Sequence, residues 1–178
     1  MVELVVVSDG RPPSLVVRKH MRSRTRLDHQ VRWLTRAQGP GVVRLHSVDP
    51  VAQHYSTCYA GRVSLAAAAT DPNVALPVVA AVWGVLERLH RLGMTHGAVG
   101  ADHVVVGHRG PVLISPGGTG QADRCHDISR FGRMVTDVAE LWSATAAAPG
   151  SVVDRWSATG RAIAALAVAC QSDDDRHL

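Results

Sequence analysis

The sequence predicts an α+β fold in two lobes, and three observations carry that expectation. Residues 1–60 alternate short Val-, Ser- and Thr-containing segments with turn residues around one amphipathic segment. From Leu65 onward apolar residues recur at helical spacing, interrupted by one Val-rich hairpin. Between Leu89 and Gly118 a helix end, a tight turn, a hairpin and a Gly-containing loop follow one another. A chain of 178 residues suits one domain, divided into 1–60, a link at 61–65 and a helical part at 66–178.

The elements follow in order. Glu3 to Val7 and Ser14 to Arg18 are β-branched runs separated by Asp9-Gly10-Arg11-Pro12-Pro13, turn chemistry that predicts a hairpin. A helix is expected from Ser23 to Ala37, capped by Ser23 or Thr25 and stopped by Gly39-Pro40-Gly41. Leu27, Gln30, Val31 and Leu34 share one of its faces, which puts a polar amide on the buried side, where it needs a partner. Val42 to Val48 and His54 to Tyr59 read as strands. Pro77 suits the first turn of a helix that runs to Leu92 with Val79, Val82, Trp83, Leu86 and Leu89 on its apolar stripe. Val104 to Val106 and Val112 to Ile114 form a hairpin, Arg124 to Trp142 an amphipathic helix, and Arg155 to Cys170 a last helix before a charged tail.

Composition narrows the function classes. The net charge is +4 and nearly all basic residues are Arg, Lys19 being the sole lysine. Cys58, Cys125 and Cys170 are odd in number and far apart, which points to reduced thiols and a reducing compartment. No CxxC or CxxH pair is present to mark structural zinc. The opening MVELVVVSDG is too short an apolar run for a signal peptide or a membrane span, and Val74 to Leu92 is cut by Pro77, Glu87, Arg88 and Arg91. A soluble, cytoplasmic protein without a membrane partner is expected.

Candidate residues each carry two readings. Lys19 at a strand end is either a phosphate ligand or an amphipathic residue with its head in water. His96, His103, His108 and His126 match no zinc spacing and read as core or loop histidines, so no metal site is expected. Ser115 has no GxSxG context to make it a nucleophile. Arg18, Lys19, Arg22, Arg24, Arg26, Arg32 and Arg36 form a basic run opposed only by Asp28, which is either a nucleic-acid or acidic-partner surface or a solvated helix face.

Six segments in order resemble the protein kinase family. VVRK at Val16 to Lys19 is similar to the strand whose Lys holds nucleotide phosphates, and Asp28 to Val48 to the helix carrying its Glu partner and the next strand. Thr57 to Leu65 resembles the hinge, LHRLGMTHGAVGADHVVV the helix, catalytic loop and strand, and PVLISPGG the lead into the metal-binding loop. DISRFGRMV resembles the helix whose leading Asp, here Asp127, braces the catalytic loop, with His96 packed beneath that loop.

The resemblance implies a two-lobed kinase-like fold, a nucleotide cleft at Lys19, Gln30, Ala98, His103 and Ser115, and a chemistry that has been removed. Ala98 stands where the family has its catalytic carboxylate, Gly100 where it has a Lys, and His103 where it has a metal-binding Asn. Ser115 replaces the magnesium-chelating Asp and Gln30 the Glu that pairs with the Lys. The expectation is a minimal bacterial pseudokinase with no catalytic residue and no resident cofactor, magnesium not expected and ATP binding left open, serving as a regulatory or protein-binding module. The alternatives are a divergent nucleotide-binding phosphotransferase and a basic nucleic-acid-binding adaptor.

Overall fold

The computed structural model describes residues 1–8, 13–70, 72–107, 109–117 and 123–143. The Asp9-Gly10 turn, His108, Gly118, Cys170, the expected helix from Arg155 and the charged tail lie outside them. The described chain is α+β, with a four-stranded antiparallel sheet, a separate two-stranded hairpin and four helices.

Strands β1 (Val2–Val7) and β2 (Ser14–His20) pair in antiparallel register, Val2 opposite Lys19 and Val6 opposite Leu15. Beyond β2 lie β4 (His54–Cys58) and then β3 (Leu45–Asp49), so the spatial order is β1-β2-β4-β3 and β1 is an edge. Val2, Leu4 and Val6 are exposed on that edge strand, because nothing in the described chain covers its face there.

Helix α1 (Arg24–Arg36) connects β2 to β3. Ser23 caps it by accepting the Arg26 amide at 3.3 Å, as its residue type predicts. Leu27 and Leu34 are buried, while Gln30 and Val31 are half-buried at the rim of the same face. Trp33 is buried too, which the chosen stripe did not include, since its indole reaches over to the Thr95 carbonyl at 2.8 Å.

The expected strand from Val42 to Val48 divides in two. Only Leu45–Asp49 pairs with β4, while Val42 and Val43 turn inward and bond the hairpin of β5 (Val104–Gly107) and β6 (Gly110–Leu113). Leu113 donates to the Gly41 carbonyl at 2.8 Å and accepts from the Val43 amide at 3.0 Å, joining the sheet to the second half of the chain.

Two helices precede that hairpin. The short α2 (Leu65–Ala68) is capped by Ser64, and α3 (Pro72–Arg91) is twenty residues long. Pro77 lies inside α3 rather than in its first turn, because the helix starts five residues earlier, at another proline that needs no N–H donor there. Gly93, at φ 66°, ends the helix in the left-handed conformation, with the Met94 amide returning to the Leu89 carbonyl at 3.0 Å. Helix α4 (Arg124–Ser143) begins where Asp123 accepts the His126 amide at 2.6 Å. A continuous apolar core runs from Leu27 and Leu34 through Val82, Leu86 and Leu89 to Phe131, Met134 and Val138. No helix among the described residues is long and apolar enough to cross a membrane.

Candidate functional site

The site is assembled from four places in the chain. β2 delivers Lys19, α1 delivers Gln30, the turn after α3 carries His96, Gly97 and Ala98, and the segment leaving β6 carries Ser115, Pro116 and Gly117.

Lys19 Nζ donates to Ser115 Oγ at 2.6 Å, across a separation of 96 residues. Burial, with no ion pair to Lys19 among the described residues, holds its ammonium below the ordinary lysine value. Gln30 finds the partner its position demanded: its Nε2 donates to the Pro116 carbonyl at 3.1 Å, and its Oε1 accepts from the Tyr55 hydroxyl at 3.5 Å. Burial pushes the Tyr55 phenol up to about 12, so it stays a donor. Ser115 itself sits at φ 56°, one of two non-glycine residues in the left-handed region among those described. Its neighbours fix it there. Ile114 donates to the His103 carbonyl and Gly117 to the His96 carbonyl, each at 2.9 Å.

Gly117 is required by this closeness. A Cβ at that position would stand 2.8 Å from the Gly97 carbonyl oxygen and 2.9 Å from Ala98 Cβ. The two loops are thus in backbone contact.

Asp127, in the first turn of α4 and with no solvent exposure, holds the turn from below. Its Oδ2 accepts the His96 amide at 2.7 Å and its Oδ1 accepts the Gly97 amide at 2.7 Å. His90 Nε2 donates to Oδ2 at 3.0 Å. The helix N-terminus adds its own positive potential to these donors. His96 is enclosed beneath the turn, its ring edge-on to Trp33 at 5.8 Å. Burial drives it down to about 4 against the opposing attraction of Asp127, so its ring is neutral near pH 7.

The expected cleft residues do not all meet. Lys19 and Ser115 line both of two adjoining cavities, and Gln30 lines one of them. The larger, about 460 Å³, lies between the first turns of α1 and the Ser115 loop, with Met21, Thr25, Arg26, His29 and Tyr55 in its walls. The smaller, about 200 Å³, lies under β2 against residues 57–61 and Val105. His103 lines a third cavity, against Arg130 and Asp137 of α4. Its Nδ1 is 2.6 Å from the Ala98 carbonyl, which can only accept, so the proton is on Nδ1. Ala98 and His96 line none of these three cavities.

Helix α1 is fastened to the far half of the molecule at several points the sequence did not reveal. Trp33 reaches Thr95, Arg36 donates to the Leu92 carbonyl at 2.6 Å, and Arg88 of α3 donates to the carbonyls of Ala37 and Pro40 at 3.1 to 3.3 Å. Arg88 therefore caps the end of α1 from another element, a role for which its position in α3 gives no local signal.

Among the described residues no three His, Cys, Asp or Glu side chains gather closely enough to hold a metal ion. Among the described residues no Asp or Glu lines either of the two cavities that share Lys19. No protein-family model matches the chain, and no curated protein matches its sequence.

Proposed function

We propose that the chain is a non-catalytic, kinase-like domain of two lobes that serves as a regulatory, protein-binding module. The observation that carries this is the internal closure of the cleft. Lys19 is bound to Ser115, and Gln30 to Pro116 and Tyr55, so the polar side chains that do meet in the cleft bond to one another. The placement of α1 between β2 and β3 and the Asp127 contacts to the His96 and Gly97 amides support the kinase-like reading. Val2, Leu4 and Val6, exposed on one face of β1, an edge strand among the described residues, support a protein-binding role.

The residues present do not fit a magnesium-bound nucleotide. Magnesium requires hard oxygen ligands, carboxylates above all, and the walls around Lys19 supply a hydroxyl, carbonyls and cations. Ala98 offers no side-chain group to accept a proton.

Two cavities meeting at Lys19 and Ser115 favour a second reading, a divergent nucleotide-binding transferase. The adaptor reading is weaker, because Arg24 is paired with Asp28 at 3.0 Å and Arg36 is held by Leu92, which breaks the basic stripe. The test is thermal melting and γ-phosphoryl transfer with ATP, with and without magnesium or manganese. The non-catalytic reading expects no transfer and no metal-dependent rise in midpoint. A rise of several degrees that requires metal and is lost in Lys19→Ala overturns it.

A further inference from the structure

The β1 edge of the sheet has a regular pattern. The His20 amide donates to the Met1 carbonyl at 3.0 Å, which makes Met1 and His20 a hydrogen-bonded pair. Alternation then turns the N–H and C=O groups of Glu3, Val5 and Val7 toward β2, and those of Val2, Leu4 and Val6 outward. On the other side of β2 the Tyr59 amide donates to the Leu15 carbonyl at 3.1 Å, which fixes the same phase. The side chains of Val2, Leu4 and Val6 share one face of the sheet with Leu15, and all four are exposed. Val2, Leu4 and Val6 therefore carry both the apolar surface and the backbone groups that have no strand partner among the described residues. The usual guards of an edge are missing from β1, which has no Lys, no Pro and no bulge in its register with β2. Its one charge, Glu3, lies on the other face, 4.0 Å from Arg18 and 3.6 Å from His20. The opposite edge differs: β3 breaks register between Leu45 and Ser47 and carries His46 and Asp49.

We propose that this edge pairs with a second copy of the chain, β1 against β1 in antiparallel order about a two-fold axis at Leu4, joining two four-stranded sheets into one. The strand is self-complementary in that register. Val2 meets Val6 of the second copy, Leu4 meets Leu4, and Val6 meets Val2. Each of these pairs exchanges two hydrogen bonds, so every outward N–H and C=O of the three residues is used. The same pairs set apolar side chains directly opposite one another on one face, flanked by Leu15 of each copy. On the other face Glu3 meets Val5, so no like charges are opposed. Other registers are poorer. A slip of one residue sets outward groups against inward ones. A slip of two residues one way sets Glu3 against Glu3 and leaves Val6 beyond the partner strand, and the other way leaves Val2 beyond it. The arrangement is also closed, since it uses the regular edge of each copy and leaves the irregular β3 edges outside, so that pairing stops at two. Strands of six residues make a small interface, among those below about 1,200 Å² in total, and the dimer should come apart on dilution. The inference rests on the protein-binding reading and deepens it by giving the partner as the chain itself.

The experiment is sedimentation equilibrium of the full chain from the low to the high micromolar range, paired with amide hydrogen exchange read by NMR at both ends of that range. A monomer–dimer equilibrium that follows concentration is expected. In the dilute sample the Val2, Leu4 and Val6 amides should exchange faster than those of Glu3, Val5 and Val7, which are bonded to β2. In the concentrated sample that alternation should vanish, the three outward amides slowing about tenfold where nine-tenths of the chain is dimeric. Leu4→Lys sets two ammonium groups opposite each other at the axis and should weaken association roughly tenfold or more. Its melting midpoint when dilute should match the parent's, because Leu4 is exposed in the single copy. Val51→Lys, at an exposed apolar residue in the turn between β3 and β4, should leave association unchanged. A chain that is monomeric at every concentration overturns the proposal, as does a Leu4→Lys variant that associates as tightly as the parent. A dimer whose outward β1 amides still exchange freely uses another surface and overturns it too. Outward amides already slow in the monomer mean that another part of the chain covers the edge, which is equally fatal. Each of these failures leaves the non-catalytic reading standing, since the ATP and metal titration decides that separately.

Discussion

Replacing Asp127 with Ala removes the acceptor shared by the His96 and Gly97 amides, each held at 2.7 Å, and by His90 at 3.0 Å. Asp127 has no solvent exposure and His96 has none, so water does not readily replace the lost oxygens. A buried donor left without a partner costs about 1 to 3 kcal/mol. Two backbone amides therefore cost about 2 to 6 kcal/mol together, with about 4 as the central value. At about 2 to 4 °C per kcal/mol for a chain of this size, the melting midpoint should fall by roughly 8 to 16 °C. Asp127→Asn keeps one carbonyl oxygen but turns an NH₂ group toward a second donor, and should lose about half as much. Urea unfolding followed by tryptophan fluorescence suits the measurement, because Trp33 packs against His96 directly above the lost contacts. A loss of less than about 1 kcal/mol in Asp127→Ala would show that the turn holds its shape without the brace, and the argument from buried donors would fail.

Three further outcomes follow from the geometry. His96 is neutral in the fold down to about pH 4, whereas unfolded it takes up its proton near 6.5. Its contribution is complete above pH 6.5 and is withdrawn as pH falls from there to about 4, by about 3 kcal/mol in all, and urea midpoints across that range should decline less steeply in His96→Leu. Gly117→Ala should cost about 2 kcal/mol, since its Cβ would press on the Gly97 carbonyl oxygen and on Ala98, and an equal-stability variant in urea unfolding would contradict that contact. Lys19→Met should change stability by less than about 1 kcal/mol, because relief of ammonium burial offsets the lost Ser115 hydrogen bond, and a loss above about 2 kcal/mol would show that bond to dominate.

Local pattern made most elements legible in the sequence. Alternation and turn residues marked β1, β2 and β4, and the Ser23 cap with the Leu27 and Leu34 spacing marked α1. Val42 was misread because a β-branched run has the same local preference whether it pairs with β4 or, as here, with β6 through residues 41–43. Pro77 was misread because proline tolerance at a helix start is a local rule, while α3 is long and buried enough to absorb one missing donor. Within the site, the convergence of Lys19, Gln30 and Ser115 could be anticipated from segment order. Their actual partners could not: the Ser115 hydroxyl and the Pro116 carbonyl come from 96 and 86 residues away. Arg26 carried a usable signal, since it lies one helical turn before Gln30 and so near the same face. Tyr55 had none beyond the strand alternation that turns it toward α1.

The Asp127 brace also bears on how the chain acquires its shape during synthesis. The residues it secures, His96 and Gly97, precede it by about thirty positions, and it belongs to the last described helix. The sheet, α1 and the hairpin can form from what has already left the ribosome, since their contacts lie within residues 1–117. The turn at His96 gains its Asp127 acceptor only once α4 has been made. A chain interrupted before Asp123 would lack the carboxylate that accepts the His96 and Gly97 amides, and would present those two donors unpaired to quality control.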